Sequence, residues 1–254
     1  MAGQGGGLLQ EAMTRPPRAI LFDLDETLLS FGARTQQIDA ALEVIADLLD
    51  PIGREQAVAA IEAAFQAHWA DQAKHRAWRA KPLIEARMAI ARDAFDTLES
   101  LGCSGLTEGH ARDFAHTFHA YREAQISPFP DAMETLDALR RRGVRLALVT
   151  NGQAQIQRAK IMRFDLARRF DHIQIEGEHG FGKPEPRAYH HALEQLDVTA
   201  REAWMVGDNL EWEVIAPQRL GLTAIWFDPR GVGLPPGSAA RPDRVIRMLR
   251  ELLD

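Results

Sequence analysis

The chain has 254 residues, more than one typical domain and fewer than two full ones. Apolar residues make up 46% and charged residues 26%, a balance that excludes a wholly disordered or collagen-like chain. The formal net charge of −6 argues against a nucleic-acid partner, which would be met by a basic surface. Cys103 is the only cysteine, so an intramolecular disulfide and a cysteine-rich zinc site are both excluded. No apolar run approaches the roughly 18–20 residues of a membrane span. The start, MAGQGGGLLQEAMTRPPR, has neither the charged beginning nor the apolar stretch of a signal peptide. The expectation is a cytoplasmic protein with no membrane partner and a disordered tail over residues 1–17.

After Pro16-Pro17, the apolar run Arg18–Asp23 predicts a buried strand, ending in the polar cluster Asp23-Leu24-Asp25-Glu26-Thr27. Residues 35 to about 125 change character. Apolar residues recur there at helical spacing, with breaks at 50–53, Lys81-Pro82 and 101–105, and helices are predicted at about 35–49, 54–79, 82–100 and 107–124. Beyond Ser127–Pro130 the pattern reverts to alternation. A helix over 131–142 precedes a strand at 144–149 that ends in Thr150-Asn151-Gly152. Helix 153–164, strand 172–176 and helix 186–196 follow, then strand 203–206, which ends in Gly207-Asp208-Asn209. Helix 210–220, kinked at Pro217, strand 222–227 and an amphipathic helix at about 242–253 complete the chain. Short apolar strands alternating with helices imply an α/β fold, a Rossmann-like, mostly parallel sheet covered on both faces. The predicted boundaries are 18–30 plus 127–254 for the α/β core and 31–126 for an all-helical insertion.

A parallel sheet brings its strand ends to one edge, where ligands bind in open α/β folds. Asp23, Asp25, Thr27, Thr150, Asn151, Gly152 and Asp208 would therefore meet in one crevice, with Lys183 on a nearby loop. Like-charged carboxylates repel and lose hydration when gathered, unless a cation joins them. Asp23 and Asp208 thus point to a hard cation, Mg²⁺, and Lys183 and Thr150 to an anion such as a phosphoryl group. Lysine is scarce here: Lys74, Lys81, Lys160 and Lys183 stand against 26 arginines, so each lysine is informative. Asn209 reads as the cap of its helix. Gly177–Lys183 matches the start of a P-loop, but Pro184 stands where a Ser or Thr would bind Mg²⁺, which rejects that reading.

Asp23-Leu-Asp25-Glu-Thr27 resembles the DxDxT signature of the haloacid dehalogenase-like (HAD) hydrolases. Thr150 at a strand end is similar to their second motif, Lys183-Pro184 to their third and Gly207-Asp208 to their fourth. The resemblance spans residues 18–254, although in the helical insertion it extends only to position and class. It implies a Mg²⁺-dependent phosphatase in which Asp23 attacks phosphorus to form an aspartyl-phosphate and Asp25 serves as general acid and then base. It further implies that Asp23, the backbone carbonyl of Asp25 and Asp208 hold Mg²⁺. Thr150, Lys183, Thr27 and the backbone N–H groups near Asn151 and Gly152 would surround the phosphoryl group. Family members usually carry a second aspartate in the fourth motif. Here Glu213 has the matching spacing, and it would either reach the metal through water or pair with Lys183. The insertion would be a cap that selects a small phosphorylated metabolite. Its pairs His68/His75 and His116/His119 lack the carboxylate or cysteine that would complete a metal site. Asp25 argues against a dehalogenase, and neither Lys74 nor Lys81 sits in a motif for phosphonate cleavage. The alternatives are a phosphomutase, another hydrolase of the family such as a dehalogenase or phosphonatase, and a catalytically weak binding or regulatory protein.

Overall fold

The computed structural model describes residues 17–70 and 81–254. These fall into two compact units: Ser30–Ser127, and a second made of the chain up to Leu29 together with Pro128–Asp254. The tail before residue 17 lies outside the described residues.

The second unit holds a six-stranded sheet: β1 (Ala19–Phe22), β4 (Arg145–Thr150), β5 (His172–Ile175), β6 (Ala203–Gly207), β7 (Thr223–Phe227) and β8 (Arg244–Ile246). β2 (Leu29–Ser30) and β3 (Ser127–Pro128) form a separate two-stranded ribbon where the chain leaves and rejoins this unit. The sheet order is β5-β4-β1-β6-β7-β8, and every pair is parallel. β1 is entirely buried because it lies at the centre of a sheet with crossovers on both sides, which explains its unbroken apolar run. Phe22 pairs with Leu148 and with Val206, so β1, β4 and β6 end within two residues of one another. That register delivers Asp23, Thr150 and Asp208 to the same edge.

The crossover helices are α5 (Ala132–Arg141), α6 (Ala154–Arg163) and α7 (Pro186–Gln195). Tyr189 of α7 is fully buried against β1, β4 and β6, and its hydroxyl donates to the Trp212 carbonyl at 2.5 Å. The expected 210–220 helix divides into a π-helical stretch over Leu210–Ile215 and one α-turn over Ala216–Arg219. Pro217 has no N–H to continue the ladder and stands at the junction.

The expected helix at 242–253 is replaced by β8 and a 3₁₀ turn over Leu249–Leu253. The spacing of Val245, Leu249 and Leu252 suits a helix, but β7 otherwise ends the sheet as an unpaired edge. Pairing through Phe227 and Ile246 closes that edge and buries Ile246.

The helical unit contains α1 (Arg34–Ala41), α2 (Arg54–Ala70), α3 (Leu83–Ser100) and α4 (Glu108–Ala124). The remainder of the predicted 54–79 helix, with Lys74 and His75, lies outside the described residues. The predicted 35–49 helix tightens into a 3₁₀ run over Leu42–Leu48, with Ile45 leaving helical geometry. The threefold spacing of Leu42, Ile45 and Leu48 suits three residues per turn. The unit has its own apolar core, with Ile38, Ile61, Ile90, Phe95, Phe114 and Phe118 at its centre. Phe65 and Phe118 pack at 4.7 Å between ring centroids, and Phe95 and Phe114 at 5.8 Å. Each such pair contributes about 1 kcal/mol beyond the area it buries. Thr107 caps α4 by accepting the His110 backbone N–H at 3.2 Å. Among the described residues no helix is long and apolar enough to cross a membrane.

Candidate active site

β1 ends and the chain turns sharply, with Glu26 in the left-handed region (φ 61°) and its N–H bonded to the Leu29 carbonyl at 2.7 Å. The turn places Asp23 and Asp25 on the sheet edge in different surroundings.

Asp23 is buried. One carboxyl oxygen accepts from Lys183 Nζ at 2.6 Å and the other from Thr27 Oγ1 at 3.2 Å. The same ammonium donates to Glu213 Oε1 at 2.7 Å, so Lys183 bridges two buried carboxylates. The second oxygen of Glu213 accepts the Asn209 backbone N–H at 2.8 Å. Gly207 is required for this approach, because a Cβ there would lie 2.1 Å from Glu213 Cγ. Glu213 thus makes the pairing with Lys183, one of the two options open to it.

Asp25 is only partly buried and has a separate ammonium. Lys160 Nζ donates to both of its oxygens, at 2.9 and 2.8 Å. Gln157 Nε2 adds a third contact at 3.1 Å and also donates to Thr150 Oγ1 at 2.7 Å and to the Asn151 carbonyl at 2.9 Å. Gln157 and Lys160 are three apart on α6 and share a face. The Thr150 hydroxyl is therefore not a helix cap; α6 begins after Gln153 with no side-chain cap.

Other residues expected near phosphate have different partners. The Asn151 side chain donates to the Lys183 carbonyl at 2.6 Å and accepts the Lys183 N–H at 2.9 Å, which fixes the loop carrying the lysine. Gly182 allows this, since a Cβ there would meet Asn151 Oδ1 at 2.5 Å. The Gly152 N–H is taken by buried Glu176 at 3.0 Å. Thr27 is fully buried, and its hydroxyl donates to Asp23. Asn209 caps its helix as expected, accepting from Glu211 and Trp212 N–H at 3.0 and 3.1 Å.

Electrostatics set the strand ends apart. Burial pushes Asp23 above its ordinary range, with Asp25 adding to the effect and Lys183 opposing it. Glu213 is pushed up to about 7 by burial and by Asp23, again against Lys183. Burial, Asp23, Glu213 and Glu26 hold Asp208 well above the ordinary carboxylate range. Burial alone would lower Lys183, but Asp23 and Glu213 outweigh it and keep the ammonium charged.

Asp208 accepts no side-chain hydrogen bond among the described residues; its backbone carbonyl accepts Trp226 Nε1 at 2.8 Å. Asp23, Asp25, Asp208 and Glu213 stand against Lys160 and Lys183, leaving two negative charges uncompensated when all are ionised. A divalent cation fits that excess. Among the described residues no three His, Cys, Asp or Glu side chains group to enclose a metal, His116 and His119 included. A Mg²⁺ ion here would rest on two carboxylates, a carbonyl and non-protein oxygens, as this cation usually does.

Gln157, Lys160 and Glu176 were not among the expected site residues. Glu176 had no distinguishing signal. Lys160 had one, as one of four lysines in an arginine-rich chain.

The haloacid dehalogenase-like hydrolase model matches residues 17–221. A phosphoserine phosphatase of Thermus thermophilus is 35% identical over 252 residues, covering 92% of this chain and 97% of that one. A glyceraldehyde 3-phosphate phosphatase of Methanopyrus kandleri is 26% identical over 249 residues, covering 92% and 98%. Among solved structures, a magnesium-bound HAD hydrolase of Bacillus subtilis superposes with a TM-score of 0.67 at 21% identity, covering 94% of this chain and 97% of that one. With the family model spanning all four motifs, the chain belongs to the haloacid dehalogenase-like hydrolases.

Proposed function

We propose that this hydrolase is a Mg²⁺-dependent phosphatase that cleaves a small phosphorylated metabolite through an aspartyl-phosphate on Asp23. The observation that carries the reading is the pair of carboxylates two residues apart, each on its own ammonium. One is buried against Lys183, while the other is more exposed against Lys160. In the first step an Asp23 oxygen bonds to phosphorus as the ester P–O bond breaks, and Asp25 gives its proton to the leaving oxygen. In the second step water bonds to phosphorus, Asp25 takes its proton, and the Asp23–phosphorus bond breaks.

The Lys183 ammonium and the Thr150 hydroxyl, preorganised at one edge, stabilise charge on the transferring group. Asp23, the Asp25 carbonyl and Asp208 would hold Mg²⁺, which when bound supplies positive charge to the phosphoryl oxygens. The helical insertion, residues 31–126, acts in this reading as the cap that selects substrate.

Phosphoserine heads the substrate panel, because the Thermus relative bears that name and spans nearly the whole chain. The test is phosphate release from phosphoserine, glyceraldehyde 3-phosphate, other small phosphomonoesters and p-nitrophenyl phosphate, with Mg²⁺ and with EDTA. Release with Mg²⁺ that EDTA abolishes is expected. No hydrolysis of any ester, or full activity in chelator, contradicts the reading.

A further inference from the structure

We infer that Lys160 and Gln157 of α6 are positioning residues that lock the Asp25 carboxyl into its proton-transfer orientation and tie it to Thr150. The inference rests on the assignment of Asp25 as the proton-transfer group.

Three N–H donors converge on this carboxyl: the Lys160 ammonium on both oxygens at 2.9 and 2.8 Å, and the Gln157 amide on one at 3.1 Å. A side chain on a turn, partly open to solvent, would otherwise sample several rotamers. The Lys160 side chain is only 9% exposed, whereas that of Asp25 is 34% exposed. The lysine thus stands behind the carboxyl and leaves it an open side.

Gln157 extends the grip. Its amide nitrogen also reaches Thr150 Oγ1 at 2.7 Å and the Asn151 carbonyl at 2.9 Å. One short helix therefore couples the end of β1, which carries the acid and base, to the end of β4, which carries a phosphoryl donor. Proton transfer needs hydrogen-bond reach between Asp25 and the ester oxygen, and small misplacements of such groups are costly.

Stability alone does not account for the pair. An ion pair with one partner open to water contributes only about 1 kcal/mol or less. Side-chain type matters as well. The chain uses arginine almost everywhere, and an arginine fork would take both Asp25 oxygens in a fixed plane. The compact ammonium grips both oxygens from one point.

The test uses two esters of nearly equal size, phenyl phosphate and p-nitrophenyl phosphate. The p-nitrophenolate group leaves without protonation, whereas the more basic phenolate needs the acid. kcat/KM is compared because it reports steps up to the transfer onto Asp23. Lys160→Met is expected to lower kcat/KM for phenyl phosphate at least about tenfold and for p-nitrophenyl phosphate less than about threefold. Asp25→Asn should show the same selectivity with a larger loss. The ratio of the two values does not depend on the folded fraction. If Lys160→Met yields no folded protein, Gln157→Leu, expected to show the same selectivity at about threefold, decides the matter. Equal loss for both esters, or none, alongside a selective Asp25→Asn overturns the inference and leaves the proposed function standing. A non-selective Asp25→Asn, or a native protein that hydrolyses neither ester, overturns the assignment on which the inference rests.

Discussion

The two lysine-bearing sides of the sheet edge solve different problems with the same side chain. On the β6 side, Lys183 is wholly buried and divides its donors between Asp23 and Glu213. There the ammonium neutralises charge, and the Asp208 carboxyl nearby accepts no side-chain hydrogen bond among the described residues. On the β4 side, Lys160 donates to both oxygens of Asp25, and an amide on the same helix face assists it. There it supplies orientation. One side is built to accept further positive charge and the other to hold a proton carrier still.

The largest expected effect removes the nucleophile itself. Asp23→Asn should lower turnover at least about a thousandfold, about 4 kcal/mol of transition-state stabilisation, because an amide is a poor nucleophile. A steady-state loss below about tenfold would break the comparison at its root.

Next come the lysines themselves, read by denaturation rather than rate. Lys183→Met strands two buried carboxylates and should cost about 3–5 kcal/mol. Lys160→Met leaves a carboxyl that water reaches and should cost about 1 kcal/mol. Equal losses in urea melts would mean that the two sides do not differ in kind.

The pH dependence sharpens the Lys183 side. Asp23, Asp208 and Glu213 all bind protons more tightly in the folded protein than in the unfolded chain, Glu213 up to about 7. Between the ordinary carboxylate range and about pH 7 the folded state therefore holds more protons, and the contribution of these groups to stability falls as pH rises. Glu213→Gln should flatten that fall in EDTA. Mg²⁺ favours the ionised carboxylates, so the stabilisation it gives should grow from pH 5 to pH 7. Thermal melts at both pH values, with EDTA and with Mg²⁺, measure both effects. A Mg²⁺ effect that is flat or shrinking with pH contradicts the charge argument.

The smallest effect is at Thr27. Thr27→Val removes one hydrogen bond to Asp23 and should cost about 1 kcal/mol, about a fivefold loss in kcat. No change would place the hydroxyl outside the positioning of the nucleophile.

Much of this site was legible in the sequence because β1, β4 and β6 are short, mostly apolar and end in polar clusters. Parallel pairing then requires Asp23, Thr150 and Asp208 to meet. Lys183 stood out through its scarcity and its proline neighbour. Lys160 had the same scarcity, but its partner lies 135 residues away and helix spacing carries no sign of it. Nothing in the local pattern shows that the Asn151 side chain holds the Lys183 loop or that Glu176 takes the Gly152 N–H. At the carboxy terminus the apolar spacing favoured a helix, and the need of β7 for a partner prevailed, a demand that local pattern does not express.

The most direct test of the central claim traps the covalent intermediate. The protein is mixed with Mg²⁺ and p-nitrophenyl phosphate, quenched in acid and reduced with borohydride, which converts an acyl phosphate to an alcohol. Peptide mass spectrometry then locates the change. Homoserine at position 23, dependent on both ester and Mg²⁺ and absent from Asp23→Asn, is the predicted result. Turnover with position 23 unmodified, or with the mark on Asp25 or Asp208, would contradict it.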